Sequence, residues 1–134
     1  MNRRFGTPPS LDEMEALARA ALARLPEPFS SHLADIVLRV EDFADDDETL
    51  AELGIEDVFA LSGVYEGLPL GQKESGAVAA MPDRIRLFRQ PILDEWIERE
   101  DETLEHLVAH VLIHEVGHHF GLSDDDMKAL EEGA

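Results

Sequence analysis

Apolar residues recur at helical spacing in four stretches of the chain. In the first, Ser10 and Glu13 fit a capping box and Pro26 ends the pattern. The longest stretch is apolar on most of its sides, which is typical of a buried helix. The predicted helices cover 11–25, 91–100, 104–120 and 125–132.

Short apolar runs predict three strands. The run from Ile36 to Val40 is a good strand candidate, and in the last run Ile85 and Leu87 alternate with polar positions and share one face. The predicted strands lie within 34–43, 57–65 and 84–90. With the helices they predict an α+β fold. In this fold, a small, mostly antiparallel sheet of three or four strands has helices on one side and the long helix beneath it.

The remaining segments are predicted to be irregular. Residues 1–9 form a flexible tail, and the small, polar stretch 72–80 forms a mobile loop. The acidic run 45–48 resembles the start of a calcium loop, but Leu50 stands where such a loop needs glycine. We interpret the run as a solvated turn before a helix.

Nothing in the sequence indicates a domain boundary, so residues 1–134 are predicted to form one domain.

Composition excludes several classes of function. The formal net charge is −19, from 11 basic and 30 acidic side chains, and so acidic a surface repels nucleic acid and anionic membrane. The absence of cysteine excludes disulfides and a thiolate zinc site. Residues 1–10 have no apolar stretch that would predict a signal peptide, and no apolar run reaches membrane-spanning length, so we expect a cytoplasmic protein, taken as a monomer.

The candidate chemistry lies in the run His114-Glu115-Val116-Gly117-His118 on the long helix. Residues four apart lie about 40° apart around a helix axis and about 6 Å along it, so His114 and His118 can bind one ion. Glu115 lies about 100° round from His114 and can reach a water on that ion without ligating it, which suits a general base. Zinc in hydrolytic sites usually has three protein ligands and an open position for water.

Asp124 is the candidate third ligand. Gly121 can adopt the left-handed conformation that ends helices and turns the chain back towards the histidines, and Asp124 follows three residues later. A second explanation of this aspartate stays open, because the run from Ser123 to Asp126 also fits the N-cap and acidic first turn of a last helix.

The other histidines leave alternatives open. Histidines recur every four residues at His106, His110, His114 and His118. The two earlier pairs are therefore also possible as ligands, although neither has both an adjacent glutamate and a helix-ending glycine. His110 could support the site from outside the ligand set. His119, four residues after Glu115, could orient that carboxylate or face solvent.

From His114 to Asp124 the sequence matches His-Glu-x-x-His-x-x-Gly-x-x-Asp. On this motif, on Tyr65–Leu70 (Tyr-Glu-Gly-x-Pro-Leu) and on Pro82–Ile85 (Pro-Asp-Arg-Ile), the chain resembles the short bacterial zincin-like metallopeptidase family, from about Val37 to Met127. The resemblance implies a zincin-like fold, and a peptide bound as an added strand at an edge of the sheet. It implies that the zinc ligands are His114, His118 and Asp124 and that the general base is Glu115.

The expected function is zinc-dependent hydrolysis of a peptide or protein. Zn²⁺ would polarise the scissile carbonyl and lower the pKa of its water, and Glu115 would take the proton and pass it to the leaving amine. The alternative is a metal-binding regulatory or interaction module without turnover, which the small size favours because few residues remain to grip a peptide. A metal-dependent ribonuclease fits poorly with a net charge of −19.

Two features outside the motif could touch substrate. Tyr65, the only tyrosine, could stabilise a developing oxyanion, although a structural role at the end of a strand is the simpler interpretation. Arg84, Arg86 and Arg89 could bind a substrate carboxylate, although pairing with the protein's own acids is the simpler interpretation.

Overall fold

The structure, a computed structural model, describes residues 8–44, 46–67 and 83–133. Those residues form six α-helices and three strands. The helices are α1 (Leu11–Ala23), α2 (Phe29–His32), α3 (Asp47–Leu53), α4 (Arg89–Arg99), α5 (Leu104–Phe120) and α6 (Asp124–Gly133). The strands are β1 (Val37–Glu41), β2 (Gly63–Glu66) and β3 (Arg84–Phe88). No helix in these ranges is long and apolar enough to cross a bilayer.

Local capping groups set the start of α1 and both ends of α5. Helix α1 ends at Ala23, two residues before the predicted end at 25. At the start of α1, Ser10 accepts from the backbone N–H of Glu13 at 3.1 Å, and Glu13 accepts from that of Ser10 at 2.8 Å. Helix α5 begins after Thr103, whose side chain accepts from a backbone N–H in the first turn. It ends at Gly121, where φ is +70°. The predicted bounds of 104–120 are confirmed.

The three strands form one mixed sheet in the order β1-β3-β2. Strand β1 is parallel to β3, with Val37 opposite Arg84, whereas β2 is antiparallel to β3, with Gly63 opposite Leu87. The α+β class and the number of strands are confirmed. The sheet is mixed rather than mostly antiparallel, because the long connection from β1 to β3 carries α3 and β2 and returns the chain in its original direction.

Two predicted strand boundaries are wrong. Within 57–65, Asp57 accepts from the N–H of Phe59 at 3.0 Å, and the short 3₁₀ turn that follows delays the strand to Gly63. The third strand ends two residues early, at Phe88, because the next residues already belong to α4. The predicted mobile loop and most of the predicted tail lie outside the described residues.

A continuous apolar core joins α5 to the sheet. The helix contacts α1, α4, α6, β2 and β3, as expected for a motif helix beneath the sheet. Its most completely buried side chains are Leu107, Val108, Leu112, Ile113 and Val116. The histidines and the glutamate of the motif therefore project from a helix that packs against β2, the edge strand of the sheet that the described residues form.

Candidate metal centre

His114 lies at the centre of the candidate site, half-buried on α5. Its ring centroid is 4.3 Å from that of His110 and 6.2 Å from that of His118. Burial lowers the pKa of His114. The charges of His110 and His118 also lower it, while those of Glu131 and Asp124 raise it. A lowered pKa keeps the imidazole neutral near pH 7, and the neutral form offers a lone pair to a metal.

Glu115 lies between α5 and the edge strand. Burial raises the pKa of its carboxyl group from 4.5 to about 7, against the effect of a hydrogen bond that it accepts from the backbone N–H of Tyr65. Tyr65 lies on β2, opposite Ile85 of β3. A carboxyl group with a pKa near neutrality suits a general base, because proton transfer is most efficient when the pKa lies near the working pH.

Tyr65, His119 and Asp83 form a cluster behind Glu115. Burial raises the pKa of the Tyr65 phenol, and so does the hydrogen bond that its hydroxyl donates to Asp83 at 2.8 Å. The His119 ring stacks on Tyr65 with centroids 4.1 Å apart, and its Nε2 is 3.5 Å from Asp83. The structural interpretation of Tyr65 is supported. The solvent-facing alternative for His119 is wrong, because only 4% of its side chain is exposed.

Asp124 lies in the first turn of α6, exposed to solvent. The predicted cap is confirmed, since the Ser123 hydroxyl accepts from the N–H of Asp126 at 3.1 Å. The left-handed turn at Gly121 brings α6 back against α5, and Asp124 lines the same pocket as His114. The capping geometry and a ligand role for Asp124 are therefore compatible.

Gly117 allows α6 to approach α5 closely. A β-carbon at this position would lie 2.2 Å from the sulfur of Met127, which is buried on α6. Because position 117 lies inside the motif, the two helices meet directly beside the histidines.

An open pocket of about 380 Å³ lies beside His114. Three histidines, four carboxylates, Arg99 and Lys128 line it, whereas Glu115 and His118 do not. The surplus of carboxylates over cations favours a bound cation.

One group of three possible ligands is assembled in the described part of the chain. It consists of His110, His114 and Glu131, whose donor atoms all lie within 4.8 Å of one another. His110 Nδ1 and the Glu131 carboxylate are hydrogen-bonded. We call these three residues the second set.

The predicted ligands His114, His118 and Asp124, here called the motif set, are not assembled to the same closeness. His118 is exposed one turn beyond His114, and Asp124 is exposed across the pocket. The motif set therefore stays a prediction. Its donor chemistry fits zinc, because imidazole nitrogen and carboxylate oxygen are the donors that hydrolytic zinc sites use.

Glu131 was not predicted as a site residue. Its sequence signal is its spacing, because residues seven apart on a helix lie within about 20° of the same face. Asp124 and Glu131 therefore both face α5. The approach of Glu131 to His110 depends on how α6 packs, which its own sequence does not show.

The arginines are paired with the protein's own acids, as the simpler interpretation predicted. The ion pairs include Arg84–Glu66 (2.7 Å), Arg86–Glu41 (2.8 Å) and Arg89–Asp42 (3.0 Å).

Comparison with known proteins agrees with the resemblance that the motif carries. A family model described as zincin-like metallopeptidase matches residues 33–134. No match was found among curated proteins. The matched region includes the three strands that the structure describes, the motif helix and the last helix. With most of its length covered, the chain belongs to the zincin-like metallopeptidase family.

Proposed function

We propose that this protein is a zinc-dependent peptidase in which the motif set holds the ion and Glu115 is the general base. One observation carries the proposal. Glu115 has a half-buried carboxyl group whose pKa is raised to about 7, and it is adjacent to a histidine that burial keeps neutral, in a chain of the zincin-like metallopeptidase family.

The exposure of two of the proposed ligands makes the motif set accessible to an ion. His118 and Asp124 both lie at the surface, so their side chains can change rotamer at low cost. His114 is held on a buried helix and supplies the fixed ligand. Zinc bound there would polarise a substrate carbonyl and make a water molecule more acidic.

Glu115 then carries the proton. Its carboxylate takes a proton from the attacking water and releases it to the nitrogen of the leaving amine. The backbone N–H of Tyr65 holds this carboxylate beside β2. Since β2 is an edge strand, a peptide substrate could lie along it and place its scissile bond near Glu115.

The test compares wild type, Glu115→Gln and the exposed control Glu105→Gln on the same helix. Each protein is loaded with zinc, its zinc content is measured by mass spectrometry, and cleavage of a mixed peptide library is followed. We expect Glu115→Gln to retain zinc and to lose activity by about 10²–10⁴-fold, the usual contribution of a general base. Normal cleavage by zinc-loaded Glu115→Gln would remove this residue from the mechanism, and loss of zinc would indicate a structural role.

The assembled second set favours another function, a metal-binding module without turnover. In it His110, His114 and Glu131 would hold an ion away from Glu115. Zinc binding by wild type with no cleavage of any library peptide would support this alternative.

A further inference from the structure

The second set has the composition of a zinc site and lies beside the open pocket. It offers two imidazoles and one carboxylate, a ligand combination known from zinc enzymes. Only 28% of the His110 side chain and 14% of the Glu131 side chain are exposed, so both groups are held by packing. They lie beside the open pocket, from which an ion could reach them.

The second set is turned away from the general base. With about 100° per residue, Glu115 lies about 60° from His118 around the helix axis but about 140° from His110. An ion between His110 and His114 therefore lies further from the Glu115 direction than an ion between His114 and His118. The pocket agrees with this geometry, because the second set lines it and Glu115 does not.

We propose that His114 is shared by two alternative metal positions, and that the second set is a resting position in which a bound zinc ion is not hydrolytic. This inference rests on the proposed function, since it takes the motif set as the hydrolytic position. The last helix thereby regulates the enzyme, because Glu131 on α6 stabilises the resting position and Asp124 on the same helix belongs to the active one.

The two positions exclude each other. A neutral imidazole has one nitrogen lone pair, so His114 can ligate one ion at a time. The protein then binds one ion per chain, and the division between positions depends on their relative affinities and not on the zinc concentration. Changes to His110 or Glu131 shift this division towards the hydrolytic position.

The test uses zinc binding in a background that lacks a ligand of the motif set. His118→Ala is suitable because the side chain is exposed and its removal leaves no cavity. To this background we add a substitution in the second set. One double variant carries the nearly isosteric Glu131→Gln, and an independent one carries His110→Ala. The control is Glu132→Gln, an exposed neighbour that also lines the pocket. Unfolding in EDTA checks that every variant folds, and cobalt absorption spectra report the ligand environment.

We expect wild type and His118→Ala each to bind about one zinc per chain, with peptide cleavage lost in the variant. Adding Glu131→Gln or His110→Ala to His118→Ala should weaken zinc binding by about tenfold or more, since even groups outside a ligand set contribute that much. Adding Glu132→Gln should leave the affinity unchanged, and Glu131→Gln alone should retain about one zinc.

Two results would overturn the inference. One is loss of zinc binding in the single variant His118→Ala. If wild type still cleaves peptides in that case, the proposed function is retained and only the second set is refuted. The other is full zinc affinity in the double variants, which would place the ion elsewhere. The expected zinc binding in a protein that never cleaves peptide would support the second set as a metal site, but it would refute the peptidase and with it the resting role of that site.

Discussion

At the scale of single residues, burial acts in opposite directions on two neighbours in the sequence. It raises the pKa of Glu115 to about 7 and lowers that of His114. In both cases the low-dielectric surroundings disfavour the charged form. The result is a neutral imidazole beside a carboxyl group that can exchange a proton near pH 7. Neither property belongs to the isolated residue.

The burial of Glu115 predicts a pH-dependent cost in stability. The folded-state pKa of Glu115, about 7, lies above its ordinary value of 4.5. The contribution of this group to the stability of the fold is therefore fully present below pH 4.5 and is lost as pH rises through 7. In EDTA, the free energy of unfolding of Glu115→Gln should therefore equal that of wild type near pH 4.5. At pH 8 it should be higher than that of wild type by at most about 3 kcal/mol. Urea unfolding at both pH values measures this. Equal stabilities at pH 8, or the same gain in exposed Glu105→Gln, would contradict it.

At the scale of secondary-structure elements, one buried arginine ties the sheet to its connections. Arg86 on the central strand β3 bonds Glu41 of β1 at 2.8 Å, Asp46 before α3 at 2.9 Å and Glu66 of β2 at 3.3 Å. These acids raise the pKa of Arg86, and the hydrogen bonds to Thr49 and Arg86 lower that of Asp46. The cluster holds β2 in the position from which Tyr65 contacts Glu115.

Removing this arginine should destabilise the protein strongly. Arg86→Met removes the cation that pairs with Glu41 and Asp46, and leaves Glu66 with Arg84 as its arginine partner. We expect a loss of about 3 kcal/mol, at the low end for a broken buried pair because the carboxylates are partly exposed. The matched control Arg84→Met removes an exposed partner of Glu66 and should cost less than about 1 kcal/mol. Chemical unfolding measures both, and similar losses in the two variants would contradict the assignment.

At the scale of the whole molecule, net charge opposes the compact state. With a formal charge of −19 on 134 residues, the acidic side chains repel one another over distances longer than that of an ion pair. The same charge attracts cations to the pocket at His114, where four carboxylates outnumber the two permanent cations, Arg99 and Lys128. Stability and metal affinity therefore respond to ionic strength in opposite ways.

Salt should raise the melting temperature of the protein. The Debye length falls from about 30 Å at 0.01 M to about 8 Å at 0.15 M, which screens the repulsion. We expect a rise of a few degrees in EDTA, since about 1 kcal/mol corresponds to about 4 °C in a domain of this size. Calorimetry in sodium chloride and in potassium chloride should agree, because screening depends on ionic strength. A flat or falling melting temperature would show that net repulsion is unimportant.

Features that depend on near neighbours along the chain are predictable from the sequence alone. The extent of α5 follows from Thr103, Gly121 and the apolar residues between them, all of which act within a few residues. The shared face of His114 and His118 follows from helix geometry alone. The capping box of Ser10 and the cap at Ser123 are local hydrogen bonds, and for that reason both were predictable.

Features that depend on groups distant in sequence arise only when the elements pack together. The parallel pairing of β1 with β3 arises from the path of the connection, not from either strand's pattern. The burial of Glu115 against Tyr65 joins positions 50 residues apart, and the contact of His110 with Glu131 depends on how closely α6 packs at Gly117. Periodicity describes one element at a time, whereas pKa and ligand geometry are set where elements meet.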